Sequence, residues 1–198
     1  MKEKIGVSKK FIYILFFICI ILLIFIIVGF TLFANRKEKV ITEEENGGSV
    51  VLKYTNEFAG LKLLNAIPTS DISGINNCSD DSFFDFSVEV SIDEAPSIDY
   101  EISLVKEKNS CNVPDEDIRI YLEKEKSGTY TKVFGPSEFT PLKKNTELNS
   151  KMGSMVIYSI NKMKTSVDNY RLKIWLSDKS LVVNNSCNIE VFVNGKAK

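Results

Sequence analysis

The chain has 198 residues, with 25 basic and 26 acidic side chains, a net charge of -1 and no histidine. The absence of histidine removes Ser-His-Asp and Cys-His catalysis, H-E-x-x-H metalloprotease sites and every histidine-liganded zinc site. Setting aside the first ten residues leaves 21 basic and 25 acidic side chains, a net -4. That balance argues against nucleic acid and anionic lipid, both of which want a basic face.

Residues 1–10 form a short basic tail with Lys2, Lys4, Lys9 and Lys10. Phe11 to Phe33 follows without charge or proline and with one glycine, Gly29. As a helix this run would reach roughly 34 Å, enough for a hydrocarbon core about 30 Å thick, so 11–33 is expected to be a transmembrane anchor. A secretory signal would have a shorter apolar region ending in a small-x-small site, whereas Leu32-Phe33-Ala34 puts leucine where a small residue is needed. Gly29-Phe30-Thr31-Leu32 spells part of a prepilin motif, but it closes the apolar helix instead of preceding it. Arg36, Lys37, Lys39 and Lys53 nearly balance the basic tail. The layout, a short tail before the span and a large domain after it, sets the expected orientation: a single-pass cell-membrane protein, N-terminus cytoplasmic and C-terminal domain extracytoplasmic. The stretch 34–48, with Glu43-Glu44-Glu45 and Gly47-Gly48, reads as a flexible stalk.

From 49 to 198 the apolar residues alternate with period two, the mark of strands with one buried face. Leu61, Leu63-Leu64 and Ala66 precede Pro68. Phe84, Phe86, Val88, Val90 and Ile92 share one face of the next strand, and Ile98, Tyr100, Ile102 and Leu104 follow Pro96. Ile118, Ile120 and Leu122 come next, then Tyr130 with Val133-Phe134 beyond the Lys126-Ser127-Gly128 turn. Val156, Tyr158 and Ile160, then Tyr170, Leu172, Ile174 and Leu176, then Ile189, Val191 and Val193 complete the pattern. No long stretch has a period of 3.6. The expected fold is therefore all-β: an antiparallel, jelly-roll-like β-sandwich of about 7–9 strands preceded by one N-terminal transmembrane helix.

The order Leu63-Leu64-Asn65-Ala66 to Pro68-Thr69-Ser70-Asp71, then Phe84-Asp85-Phe86-Ser87-Val88, Asp99-Tyr100-Glu101-Ile102, Ile120-Tyr121-Leu122 and Tyr170 through Asp178 resembles the TasA and camelysin group of small Gram-positive surface proteins. The resemblance covers roughly Val51 to Gly195. It implies an extracytoplasmic jelly-roll sandwich, in a group some of whose members build matrix fibres by exchanging strands. An uncleaved anchor departs from the secreted members. The protease attribution attached to camelysin finds no residues here to carry it.

No G-x-x-x-x-G-K-S/T, G-x-G-x-x-G or G-x-S-x-G spacing occurs. Histidine-free chemistry would have to recruit Ser154 with Lys162, or Asp99 with Glu101, whose ordinary reading on alternating strands is a solvated face. Asp80-Asp81 and Asp115-Glu116-Asp117 are loop acids lacking calcium-loop spacing, and turn chemistry explains them. Outside the cell, Cys78, Cys111 and Cys187 would supply one disulfide and one further thiol, with the pairing open and a crosslink between chains as the other use of the odd thiol. Cys19 lies in the apolar run. Alternation puts Trp175 with Arg171 and Lys173 on the face opposite Tyr170, where it either contacts a glycan or protein partner or is covered by a loop. Asn77-Cys78-Ser79 and Asn184-Asn185-Ser186 fit the N-glycosylation pattern.

These features lead to a membrane-anchored, noncatalytic extracytoplasmic sandwich for surface structure, adhesion or matrix-like assembly, with no cofactor and no nucleic-acid partner. Ser49 to Tyr54 is the expected donor strand if copies exchange strands. The alternative is a binding or sensing module for a carbohydrate or peptide, working with a membrane partner. A hydrolase with an unfamiliar site ranks last.

Overall fold

The computed structural model describes residues 17, 18, 20, 21, 37–41, 47–56, 58–77 and 83–198. The chain divides into two compact units, 1–36 and 37–198. In the first unit Phe17, Ile18, Ile20 and Ile21 are helical. Among the described residues no helix is long and apolar enough to cross a membrane. The tail 1–10, most of the run 11–33, Cys78, Asp80 and Asp81 lie outside the described residues.

Among the described residues the second unit has ten strands: β1 (Lys37–Ile41), β2 (Gly48–Tyr54), β3 (Gly60–Leu64), β4 (Phe83–Ile92), β5 (Ile98–Lys106), β6 (Ile118–Lys126), β7 (Thr129–Glu138), β8 (Ser154–Lys162), β9 (Ser166–Leu176) and β10 (Ser186–Ala197). One short helix, α1 (Asp71–Asn76), lies between β3 and β4. Two antiparallel sheets form, in the orders β1-β2-β4-β9-β6-β7 and β3-β10-β5-β8. The pairs nest. β6 with β7 is the innermost hairpin, enclosed by β5 with β8, then β4 with β9, then β3 with β10.

Alternation fixes which side chains face inward. Phe84, Val88, Val90, Tyr100, Ile102, Leu104, Ile118, Ile120, Leu122, Tyr170, Leu172, Leu176, Ile189, Val191 and Val193 have no accessible surface. They form one core between the sheets. Rings fill part of it: Phe84, Phe86 and Tyr170 stack in series at 5.4 Å centroid spacings. Such aromatic pairs contribute beyond the area they bury.

Three local readings change. The stretch taken as a stalk, 34–48, contains β1, which pairs along β2 from Lys37 opposite Tyr54 to Ile41 opposite Val50. Lys37-Glu38-Lys39 carries the charge that an edge strand tolerates, and the same charge hides it as a strand in the sequence. Ser49 to Tyr54 is not a loose segment, because β2 sits between β1 and β4 with Val50 and Leu52 in the core. Its run Val50-Val51-Leu52 is buried throughout and so lacks the alternation that marks the other strands. On β8 the inward residues begin as Met155 and Ile157 instead of Val156. An irregularity opposite Ile102 and Ser103 leaves Ile157 without a partner, which switches the phase and lets Tyr158 and Ile160 also pack on the core.

Candidate functional site

The outer face of the six-stranded sheet is where the sequence left Arg171, Lys173 and Trp175. On β6, Glu123, Tyr121 and Arg119 stand opposite these three residues, and on β4, Asp85 stands opposite Arg171. Opposite charges thus meet across strands. Arg171 donates two bonds to Asp85, at 2.8 and 2.7 Å. Its guanidinium also lies 4.1 Å from the centre of the Phe83 ring and 4.4 Å from that of Tyr130. Lys173 is only 5% exposed; its Nζ donates to the Ile75 carbonyl at 2.5 Å and lies 3.6 Å from Glu123.

Trp175 is corrected by this geometry. It occupies the outer face, as alternation requires, but is 7% exposed because α1 lies over it. The helix is held there by its own start: Ser70 Oγ accepts from the Ser73 N–H at 3.4 Å, and the Thr69 N–H donates to the Leu176 carbonyl at 2.9 Å. Gly74 is the contact residue. A Cβ at this position would fall 2.4 to 2.7 Å from three atoms of the indole ring. Only glycine lets the helix approach this closely, which leaves little of the Trp175 surface for the partner contact assigned to it. The indole Nε1 is buried with no hydrogen-bond partner among the described residues. It lies near enough to Asp71 to help depress that carboxyl, yet its geometry falls short of a bond.

A Gly74→Ala substitution is expected to lift α1 from the indole, costing about 1–3 kcal/mol. Because Trp175 is the chain's one tryptophan, its emission should shift to the red as the melting temperature falls. Unchanged emission and melting would show that the helix does not cover the ring.

Beside α1 runs an open cleft of about 570 Å³. Its walls carry five carboxylates, Asp71, Glu116, Asp117, Glu138 and Asp178, against Arg119 and Lys179. Arg119 and Asp71 form a two-bond pair at 3.0 and 2.7 Å, and Glu138 lies 3.7 Å from the same guanidinium. The Arg119 hydrogen bonds hold the Asp71 carboxyl below the usual range, and Asp71 in turn raises Arg119. Asp117 accepts from Ser180 Oγ at 2.7 Å, while Asp115 turns away to pair with Lys106. The acidic triplet Asp115-Glu116-Asp117 therefore splits, with Glu116 and Asp117 on the cleft and Asp115 on Lys106. Among the described residues no three acids or cysteines converge on a metal position. What the cleft offers is a net negative, open recess suited to a cationic or polyhydroxyl group.

A second polar cluster crosses the core. Tyr100 on β5 donates to Asp168 on β9 at 2.9 Å, and its hydroxyl lies 2.5 Å from that of Tyr170. Lys124 and Lys162 approach the same Asp168 oxygen at 3.0 and 2.5 Å. Burial, which would raise the Asp168 carboxyl, is outweighed by these hydrogen bonds, and the net shift is downward. Burial drives both tyrosine hydroxyls far up, so they stay protonated. The cluster joins the two sheets, since Tyr100 and Lys162 belong to one and Asp168, Tyr170 and Lys124 to the other.

The remaining sequence candidates are structural in placement. Ser154 and Lys162 begin and end β8, some 26 Å apart along a strand of that length. Ser154 Oγ donates to the Lys151 carbonyl at 2.6 Å. Asp99 accepts from Asn161 at 2.5 Å and pairs with Lys198 at 2.5 Å, and Glu101 accepts from Thr146 and Ser150 at 2.8 and 2.9 Å. Neither pair forms a shared acid–base site. Of the three domain cysteines, Cys111 and Cys187 form a disulfide across 76 residues, tying the β5–β6 connection to the start of β10. The sequence left this pairing open, and no spacing in it selects Cys111 over Cys78. The cleft went unread too, because its acids come from four separated segments. Compared with known proteins, the chain matches no family model and no curated protein.

Proposed function

We propose that this chain is a membrane-anchored, noncatalytic extracytoplasmic β-sandwich of the jelly-roll type, serving surface structure, adhesion or matrix-like assembly. The observation that carries the reading is the Cys111–Cys187 disulfide in a chain whose first unit contains the apolar run 11–33. Disulfides persist in oxidising compartments, so the bond favours a domain outside the cytoplasm. The nested pairing of β3 with β10 through β6 with β7 supports a jelly roll, in which one long hairpin wraps into two sheets. The resemblance to TasA and camelysin points the same way.

Strand exchange remains the most concrete assembly mechanism, with β1 instead of Ser49–Tyr54 as donor. β1 is a five-residue edge strand, and its removal would leave the β2 edge open for a strand from another copy. Among the described residues the core lies between Val50 and Ala197, so residues 37–198 suffice for the test. Sedimentation velocity across a wide concentration range should show oligomers that persist in reductant and vanish when Lys37–Ile41 is deleted. A monomer at every concentration opposes assembly and moves the weight to the second reading. That reading is a binding module, favoured by the acidic cleft beside α1. Calorimetric titration with short basic peptides and with oligosaccharides would measure its ligand.

A further inference from the structure

Strand register identifies which connections leave the same end of the sandwich as the chain's entry point. Lys37 stands opposite Tyr54, Tyr54 opposite Phe86, and Phe83, at the start of β4, opposite Lys173 near the close of β9. On the other sheet Leu64 stands opposite Ser186. Lys37, the β3–β4 connection and the β9–β10 connection therefore share one end.

That end is where apolar side chains reach solvent. Of the eight large apolar residues exposed among the described residues from 47 to 198, five belong to these two connections or their margins: Leu64 (70%), Ile67 (80%), Ile72 (76%), Leu181 (93%) and Val183 (79%). Singly such exposure is ordinary; its concentration at one end is not. The display is also held in place. Asn185, 3% exposed, accepts from the Ala66 N–H at 2.7 Å and donates to the Ala66 carbonyl at 2.8 Å. Asn65 N–H reaches the Asn185 carbonyl at 2.8 Å. This clasp fixes Ile67 and Val183, each within two residues of it, as neighbours on two different loops.

We propose that this apolar end rests on the surface of a zwitterionic lipid bilayer, a reading that depends on the anchor proposed above. Chain length supplies the argument for lipid. From Phe33, the last residue of the apolar run, to Lys37 is four residue steps, at most about 14 Å even when fully extended. If the run ends at the bilayer interface, the end of the sandwich bearing Lys37 cannot stand off from it. Branched aliphatic side chains on loops held in this way are the kind of surface that enters the headgroup boundary. Charge selects the lipid. The cleft at this same end carries five carboxylates against Arg119 and Lys179, and this net negative recess would be repelled by anionic headgroups.

Hydroxyl-radical footprinting of the full chain in phosphatidylcholine nanodiscs, against residues 37–198 free in solution, tests the proposal. Met163 on the β8–β9 turn and Val167 at the start of β9, both exposed at the opposite end, serve as internal controls. Oxidation of Leu64, Ile67, Leu181 and Val183 should fall roughly fivefold in the disc while the controls stay unchanged. Leu181→Asp with Val183→Asp, both exposed and outside the core, should restore oxidation at Leu64 and Ile67. Equal oxidation in disc and solution, with the chain still resisting alkaline carbonate extraction, overturns bilayer contact while leaving the anchor standing. Release by carbonate overturns the anchor and the contact together. Protection that appears in the free domain as its concentration rises assigns the patch to a second copy and also overturns the proposal.

Discussion

Loss of the Cys111–Cys187 bond should lower the stability of residues 37–198 by about 4 kcal/mol, the chain-entropy value for a loop of this length. The bond closes a loop of 76 residues, which contains β6, β7, β8 and β9. Without it the unfolded chain regains the freedom that the link removes, while Cys187, fully buried, leaves its place in the core to a smaller group. A Cys111→Ala, Cys187→Ala double variant isolates the effect from any chemistry of Cys78. Its melting temperature should fall by about 8–16 °C for a domain of this size. The check is calorimetry of both proteins under nonreducing conditions. Equal melting temperatures would show that the two sulfurs do not constrain the fold.

Asp168→Ala should cost about 3 kcal/mol, the low end of the range for removing one partner from a buried ion pair. The substitution leaves two ammonium groups, Lys124 and Lys162, without the carboxylate they share. Their side chains are 20% and 17% exposed, so water relieves the charge only in part. Tyr100 loses its acceptor as well, keeping only Tyr170. The pH dependence follows from the downward shift of the Asp168 carboxyl. A group depressed in the folded state stabilises fully above its unfolded value, near 4 for aspartate, and that contribution disappears as pH falls through the lower folded value. Asp71 and Asp99 are also depressed, chiefly by hydrogen bonds from Arg119 and Lys198, and act with the same sign. Stability of the parent should therefore fall steadily below about pH 4, and Asp168→Asn should flatten that slope without abolishing it. Urea midpoints measured from pH 7 down to pH 3 give the comparison. A variant whose midpoint tracks the parent at every pH would exclude Asp168 as a structural tie.

The parts of the fold that were legible in the sequence are those where burial on one face imposes alternation. Phe84 to Val90, Ile98 to Leu104 and Tyr170 to Leu176 show their inward faces directly, and the structure buries those faces. β1 and β2 were not legible for opposite reasons. Charge at Lys37-Glu38-Lys39 imitates a stalk, and continuous burial at Val50-Val51-Leu52 erases the period. On β8 one extra residue changed the inward phase, a local event that periodicity does not register. The fate of Trp175 depended on a six-residue helix whose sequence, Asp71 to Asn76, is too short to show a helical period. Ser70 at its start and Gly74 against the indole explain the helix only once its position over β9 is known. The candidate cleft assembles Asp71, Glu116, Glu138 and Asp178 from segments far apart in the chain, so it belongs to the tertiary fold.

The proposed topology places the sandwich of an anchored chain outside the cytoplasm. It is tested most directly by digesting intact cells that express the full chain with an added protease, after mapping the digestion products of the purified protein. The chain should sediment with membranes through alkaline carbonate, residues beyond 37 should be cut from intact cells, and Cys111 and Cys187 should be recovered joined. A domain protected in intact cells and cut only after lysis, with both cysteines reduced, would contradict it.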